Sequence, residues 1–200
     1  FLPMRPTCAS ETIFNAMDNE MERNSKRLTM EGLGTPYFLS YTISKGRYLE
    51  LGSSFGALEE SQESNSRSLK VQLRIGSPSF DNMHYVGKDY WNYHPLTTSL
   101  VLEDNEDAIK LDLWLLTDKA YKRALEKLAQ KKAYQQDKLI TEEIPDLSES
   151  PISITETPLK EFIFEKQKWE AQVRNLSNFF KQYPSIQDSN IKLYCNEKVN

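Results

Sequence analysis

Three segments of the chain carry apolar residues at three- and four-residue spacings, which place those residues on one face of an α-helix. The first predicted helix covers 11–30 with Ser10 as its N-cap, and the second follows its predicted cap, Asp104, and continues through Ala133 or beyond. The third predicted helix covers 159–182. The second helix is expected to bury a stripe made of Ile109, Leu113, Leu116, Ala120, Ala124 and Leu128, widened by Trp114, Tyr121 and Leu125. The third helix carries its apolar side chains at Phe162, Trp169, Val173, Leu176, Phe179 and Phe180.

Alternation of apolar and polar residues predicts strands between the first two helices. Residues 37–43 are aromatic and β-branched, a turn is expected at 44–47, and a second strand opens at Tyr48. Residues 69–75 alternate without a break and are expected to bury one face, made of Leu69, Val71, Leu73 and Ile75. The stretch 59–68 contains no large apolar residue and is expected to form a solvated crest.

Two shorter strands are predicted at 80–85 and at 191–195. No later segment could pair with 191–195, which suggests that the sequence is part of a longer parent protein. Taken together, the pattern predicts an α+β fold, with an antiparallel or mixed sheet of about four to six strands flanked by two or three long helices.

The order of these elements divides the chain into four parts. Residues 1–10 form an N-terminal tail, and 11–143 form an α+β domain. Three prolines fall within 144–158, which predicts an extended connector. Residues 159–200 then supply the third helix and the last strand.

Composition narrows the class of protein. Of 200 residues, 38% are hydrophobic and 11% aromatic, so a core can form. The net charge of −4 argues against a general nucleic-acid surface, and no run approaches the roughly 18 apolar residues of a membrane span. The chain opens at Phe1 rather than Met, so either a leader has been removed or the numbering begins inside a longer reading frame. Cys8 and Cys195 are either unrelated thiols or a disulfide, and the disulfide would need an oxidising compartment.

Motifs that carry catalysis or bind metal do not occur in the sequence. His84 and His94 lie in no metal-ligand pattern, and the chain contains no HExxH, CxxC, GxSxG or glycine-rich phosphate loop. The acidic residues of 103–107 begin a helix, where the helix dipole favours them. No catalytic residue, metal ligand or cofactor is therefore predicted in this chain.

One surface remains as a candidate contact with a peptide or a partner protein. Lys70, Gln72 and Arg74 share the polar face of the strand 69–75, and an aromatic loop follows further along the chain. The aromatic candidates in that loop are Tyr90, Trp91 and Tyr93. The alternative interpretation is that the strand face is simply solvated and that the aromatic residues cover the end of the core.

The order and spacing of several segments resemble the N-terminal region of TldD/PmbA-like proteins, which are predicted zinc metallopeptidases and their inactive relatives. The resemblance rests on GLGTPYFLSYTIS, LGSSFGALEESQESNSRSLKVQLRIGS, FDNMHYVG and LDLWLLTDKAYKRALEKLAQKKA. The later segments IPDLSE, KWEAQVRNLSNFF and YPSIQDSNIKLY agree with it. It covers nearly all of residues 11–195, and its motifs are structural rather than catalytic.

The resemblance implies that chemistry lies outside this chain. In the family, active members carry a histidine-glutamate metal motif in a C-terminal domain, toward which 159–200 would lead, and zinc would bind there. No matching motif occurs here, so no catalytic or metal residue is carried over. Family members form dimers around a space that admits unfolded peptide, which implies a homo- or hetero-dimer and a peptide partner. Relatives of this form are bacterial and exported, which favours a periplasmic or exported location over a cytoplasmic one.

Two functions follow as expectations. In the first, the chain is a non-catalytic N-terminal domain of a TldD/PmbA-like metallopeptidase that contributes to peptide handling, to dimer assembly, or to both. In the second, it is a purely structural oligomerisation module of an inactive homologue. A free-standing enzyme is a third alternative, which no motif favours.

Overall fold

The computed structural model describes residues 8–29, 34–84, 95–138, 145–148, 151, 153 and 165–199. Within these ranges the chain forms three α-helices and five β-strands. The helices are α1 (Cys8–Arg27), α2 (Glu106–Lys138) and α3 (Lys166–Asn178), and a 3-10 turn (Phe179–Gln182) continues α3. The strands are β1 (Pro36–Ser54), β2 (Ala57–Ser77), β3 (Phe80–Asp81), β4 (Leu96–Ser99) and β5 (Ile191–Val199). The strand pairings are antiparallel, which confirms the predicted α+β class.

A long hairpin of β1 and β2 forms the centre of the sheet, which has the order β3-β2-β1-β5 with β4 also paired to β2. Its turn is Phe55-Gly56, where both residues have positive φ (45° and 80°), as a type I′ turn requires. The predicted turn at 44–47 is therefore wrong. Residues 45–47 pair with β5, so their backbone groups are satisfied inside a strand despite Gly46. The predicted crest 59–68 belongs to β2, and its side chains at 61–66 are exposed as expected, whereas Arg67 is only 6% exposed, so its expected solvation is wrong.

The chain divides into two compact units, and neither is a continuous segment. The first unit consists of Phe1–Ile43 and Ser68–Ile154, and the second of Ser44–Arg67 and Thr155–Asn200. The hairpin thus contributes its base to one unit and its tip to the other. The partition predicted from sequence, with boundaries near 143 and 158, stays a prediction. It divides the chain into continuous segments, and such a division cannot place the hairpin tip in one unit with the C-terminal residues.

The core of the first unit lies between β2, α1 and α2, and the predicted apolar faces are confirmed there. The buried residues include Leu69, Val71, Leu73, Ile75 and the stripe Ile109, Leu113, Leu116, Ala120, Ala124 and Leu128, together with Tyr121. Trp114 is 43% exposed, so its predicted place in the stripe is wrong. The side chain lies instead beside α1, with the Arg23 guanidinium 5.9 Å from its ring centroid.

The helix starts in the first unit differ from the predicted caps. Asn105 caps α2, because its side-chain oxygen accepts the Ala108 N–H at 3.0 Å, and Asp104 precedes it. Helix α1 begins at Cys8, so Ser10 lies inside its first turn. Strand β3 is shorter than the predicted 80–85, and β4, which was not predicted, pairs with residues 68–71 of β2.

A buried polar network links α1, β1 and α2 within the first unit. Tyr41 lies against Thr117 with their hydroxyl oxygens 2.9 Å apart, and the Thr117 hydroxyl donates to the Leu113 carbonyl. Asn24 donates one amide hydrogen to the Tyr41 oxygen and another to Glu20. Burial raises the pKa of Glu20, which is 5% exposed, although Arg23 and Asn24 oppose the shift.

The second unit packs α3 against the tip of the hairpin and β5. Leu49, Leu51 and Val173 are buried, and Trp169 and Leu193 pack against them. Strand β5 pairs with residues 45–53 of β1, so the partner of the last strand comes earlier in the chain. Cys195 in β5 is a free thiol, and the side chain of Cys8 lies outside the described residues.

Serine side chains that accept hydrogen bonds from backbone N–H groups hold the hairpin tip in the second unit. The Ser177 hydroxyl accepts the Gly56 N–H at 2.8 Å and lies 2.7 Å from the Ser53 hydroxyl, while Ser189 accepts the Phe55 N–H at 3.0 Å. Of the apolar residues predicted for the third helix, Val173 is buried, whereas Leu176 and Phe179 are 60% and 51% exposed. Phe162 lies outside the described residues.

Candidate functional site

Of the six predicted contact residues, the structure describes three, Lys70, Gln72 and Arg74, and these three do not form one solvated surface. Lys70 is exposed and lies opposite Thr97 of β4. Gln72 lines a small cavity, and Arg74 is only 8% exposed, so its expected solvation is wrong. The other three, Tyr90, Trp91 and Tyr93, lie outside the described residues. Along β2 the polar face therefore changes from solvent to cavity to buried interior within five residues.

Arg74 is buried because an acidic partner follows it at the next turn. Its Nη1 donates to Asp81 Oδ2 at 2.9 Å, and the Tyr37 hydroxyl donates to the same oxygen at 2.5 Å. The other oxygen of Asp81 accepts the Met83 N–H at 2.7 Å. Asp81 is fully buried, and these contacts give its carboxylate the opposite charge and the hydrogen-bond donors that offset the loss of hydration. Burial, together with the hydrogen bond and charge of Asp81, raises the pKa of Tyr37 to about 12.

A second ion pair lies against the first. Lys131 of α2 donates to Asp146 Oδ2 and to the Met83 carbonyl, the latter at 2.7 Å. Asp146 Oδ2 also accepts the Asp81 N–H at 2.7 Å, and the Asp146 carbonyl accepts a bond from Arg74 at 3.1 Å. We call Arg74, Asp81, Lys131 and Asp146 the buried charge network. It contains two charges of each sign and fastens residues 145–148 to the turn between β2 and β3.

His84 stands at the edge of this network. Its Nδ1 lies 3.4 Å from Asp146 Oδ1, its side chain is 64% exposed, and its backbone has a positive φ of 55°. Among the described residues, no group of three or more His, Cys, Asp or Glu side chains is arranged to hold a metal ion. None of the described helices combines the length and apolar character that crossing a membrane requires.

Next to the network, β2 and α2 enclose a cavity of about 50 Å³, which we call the Gln72 cavity. Its polar lining comes from Gln72, Asn82, Arg123 and Lys127. Its apolar lining comes from Val71, Leu73, Met83, Pro95, Leu96, Ala120 and Ala124. No carboxylate is among these residues, so the charged groups at the cavity wall are cationic.

The polar side chains that line the cavity differ in whether they are already hydrogen-bonded to other residues. Asn82 is committed to β2, since its amide accepts the Ile75 N–H at 2.7 Å and donates to the Leu73 carbonyl at 3.3 Å. Lys127 is 7% exposed and donates to Gln130 at 3.2 Å. The Gln72 amide makes no hydrogen bond to any residue that the structure describes.

The size of the cavity limits what it can accept. A single water needs roughly 10–15 Å³ of such space, so the Gln72 cavity holds a few waters or one small functional group. Sites for drug-sized ligands and cofactors measure about 300–1,000 Å³. The cavity therefore suits the end of one side chain or chain terminus.

Sequence reasoning missed both buried lysines, although a signal was present. Lys127 and Lys131 are seven and eleven residues after Ala120, and so continue the face of the apolar stripe. A lysine on a buried helical face needs either an acidic partner or a polar cavity. Comparison of the chain with protein-family models, with curated proteins and with solved structures finds no match, so the resemblance to TldD/PmbA-like proteins stays a prediction.

Proposed function

We propose that the chain is a non-catalytic domain of the TldD/PmbA type that handles peptide, and that metallopeptidase chemistry and zinc belong to another domain of the parent protein. The observation that carries the proposal is the Gln72 cavity, because its lining residue Gln72 shares a face of β2 with the exposed Lys70. Its volume of about 50 Å³ suits one side chain of a peptide rather than a small-molecule substrate.

The spacing of the two groups supports contact with an extended chain. Lys70 and Gln72 are two residues apart on one strand, and such residues lie roughly 6.6–6.8 Å apart. Every second side chain of an extended peptide repeats at the same distance, so a peptide along this face can contact both. Because β2 is already paired with β1 on one side and with β3 and β4 on the other, the contact would use side chains rather than strand addition.

The test is an NMR titration of the ¹⁵N-labelled chain with an unfolded polypeptide. We expect shifts that concentrate on Lys70, Gln72 and Lys127, and weaker binding by Lys70→Glu. Lys132→Glu is the matched control, since Lys132 is exposed on α2. If millimolar polypeptide shifts no resonance on this face, the peptide-handling function is wrong.

A specific observation favours the alternative, a structural oligomerisation module of an inactive homologue. Leu111, Trp114 and Leu115 form an exposed apolar group on α2, with exposed fractions of 54%, 43% and 50%. Such a group on one helix face is typical of a protein contact, here with a second copy of the chain. Sedimentation of the wild type and of Leu111→Lys tests it. A monomer at several hundred micromolar would count against this alternative.

A further inference from the structure

We propose that two copies of the chain associate through α2, with the two helices antiparallel and related by a two-fold axis. The inference rests on the alternative function above, a contact between copies, and adds the orientation of the copies and the residues that fix it. It does not depend on peptide handling, because none of the residues that carry it lines the Gln72 cavity.

Four exposed residues of α2 follow one another at a spacing of four. They are Asp107, Leu111, Leu115 and Lys119, and side chains at this spacing form one ridge on the surface of a helix. We call these four residues the α2 ridge. The helix dipole favours an acid such as Asp107 in the first turn, but it accounts neither for two exposed leucines nor for the lysine that follows them.

The order of residues along the α2 ridge is self-complementary. It runs acid, leucine, leucine, lysine, so a second copy turned end for end places its Lys119 opposite Asp107 and its Leu115 opposite Leu111. A two-fold axis between the leucines repeats each contact, which is the arrangement of most homodimers. A parallel pair would instead place Asp107 against Asp107 and Lys119 against Lys119, where like charges repel. Charge complementarity therefore selects the antiparallel pair.

Helix packing and local ion pairs are compatible with this arrangement. Ridges at a spacing of four interdigitate when two helices cross at about −50°, the commonest class of helix packing. Asp107 and Lys119 are 12 residues apart, which separates the two charges by about 18 Å along the helix axis. Neither side chain forms a salt bridge with a described residue, and Lys110, one turn after Asp107, is paired with Glu106 at 2.5 Å.

Sedimentation equilibrium of the full chain at low salt tests the inference with two charge variants. Because two leucines per copy bury little area, we expect a weak wild-type dimer, with a dissociation constant on the order of 100 μM. Asp107→Lys and Lys119→Asp each turn both attractive contacts into repulsive ones, so each variant alone should dimerise about tenfold more weakly. An equimolar mixture of the two variants restores both contacts and should regain the wild-type affinity.

Controls and outcomes separate the orientation from the contact itself. Lys132→Asp removes the same charge from an exposed position of α2 outside the ridge and should dimerise like the wild type, and far-UV circular dichroism verifies that each variant folds. A mixture no tighter than either variant alone, or equal weakening by Lys132→Asp, would overturn the antiparallel pairing and leave the contact between copies to be judged by Leu111→Lys. A wild type that is monomeric at several hundred micromolar would overturn both, whereas the peptide titration would stand unaffected.

Discussion

The ion pair between Lys131 and Asp146 yields a quantitative prediction about the stability of the first unit. Both side chains are almost entirely buried, with exposed fractions of 9% and 7%. Asp146→Asn keeps an oxygen that can accept the Asp81 N–H but removes the charge that neutralises Lys131. Leaving one buried charge without its partner costs about 3–5 kcal/mol. Since domains of this kind are stable by about 5–15 kcal/mol, the substitution would remove a large part of the free energy of unfolding.

The reverse substitution tests the same pair from the other side. In the wild type, the Lys131 ammonium lies 4.7 Å from the Phe80 ring centroid. Lys131→Met keeps an aliphatic side chain of similar length but removes this charge, which leaves Asp146 as the unpaired charge. We expect a loss of about 3 kcal/mol. The double variant carries neither charge, so its loss should be close to that of one single variant. The coupling free energy between the two positions should then be at least about 2 kcal/mol.

Urea unfolding followed by far-UV circular dichroism gives the free energy of unfolding of the wild type, the two single variants and the double variant. Equal dependence of that free energy on urea concentration verifies that the four unfolding transitions are comparable. The matched control is Asp118→Asn with Lys122→Met, an i,i+4 pair on the exposed surface of the same helix, with side chains 40% and 63% exposed. Its coupling should be below about 0.5 kcal/mol, as for other exposed pairs. Additive effects at Lys131 and Asp146 would refute the reasoning that their charges depend on each other.

Three further predictions concern Gly76, Tyr37 and Glu20. Gly76→Ala should lower the free energy of unfolding by more than about 2 kcal/mol, because φ is +113° and a Cβ would lie 2.4 Å from the Phe80 carbonyl oxygen. Tyr37→Phe should cost about 1–3 kcal/mol at neutral pH through the lost bond to Asp81. The wild type, whose Tyr37 pKa is raised to about 12, should lose stability between pH 10 and 12 while Tyr37→Phe loses less, as measured by urea unfolding across that range. Glu20→Gln should leave stability at pH 7 unchanged or increased, and should flatten its dependence on acidic pH, because the raised pKa means that the folded state favours the protonated acid.

Each of these has an outcome that would contradict it. Gly46→Ala is the control for Gly76, since its Cβ would meet chiefly the rotatable Ser66 hydroxyl at 2.6 Å, and an equal loss at both positions would exclude backbone strain as the cause. Parallel alkaline curves for wild type and Tyr37→Phe would show that another group governs that range. A loss above about 2 kcal/mol for Glu20→Gln at pH 7 would mean that the ionised carboxylate stabilises the fold.

The elements that could be predicted from sequence are those whose burial follows one regular period. The α2 stripe and the apolar face of residues 69–75 lie in the core as expected, because regular spacing forces one face toward the interior. Gly56 by itself favours a sharp bend before Ala57, but the positive φ of Phe55 could not be foreseen, since phenylalanine rarely adopts positive φ and serine hydroxyls from distant residues hold the turn. Gly46 suggested a turn that pairing with β5 prevents.

The candidate site was predicted only in part, and Arg74 explains why. Alternation correctly placed it on the face opposite the core stripe, but alternation says nothing about what covers that face. Two residues bond to Arg74 and bury it: Asp81, seven residues later in the chain, and Asp146, 72 residues later. The first partner is near enough to be inferred from a turn, whereas the second follows from tertiary structure alone.

The two buried lysines on α2, Lys127 and Lys131, show how the buried face of a helix can include charged residues. Where the apolar stripe of a helix continues into lysine, the buried charge must be neutralised or solvated, because leaving it unpaired costs several kcal/mol, about as much as a large cavity in the core. At Lys131 the chain itself supplies the anion, Asp146. One turn earlier, the ammonium of Lys127 donates a hydrogen bond to the Gln130 side chain at 3.2 Å. Both ammonium groups thus have polar partners within the chain, which is why the buried face of α2 can continue from apolar residues into lysine without leaving a charge unpaired.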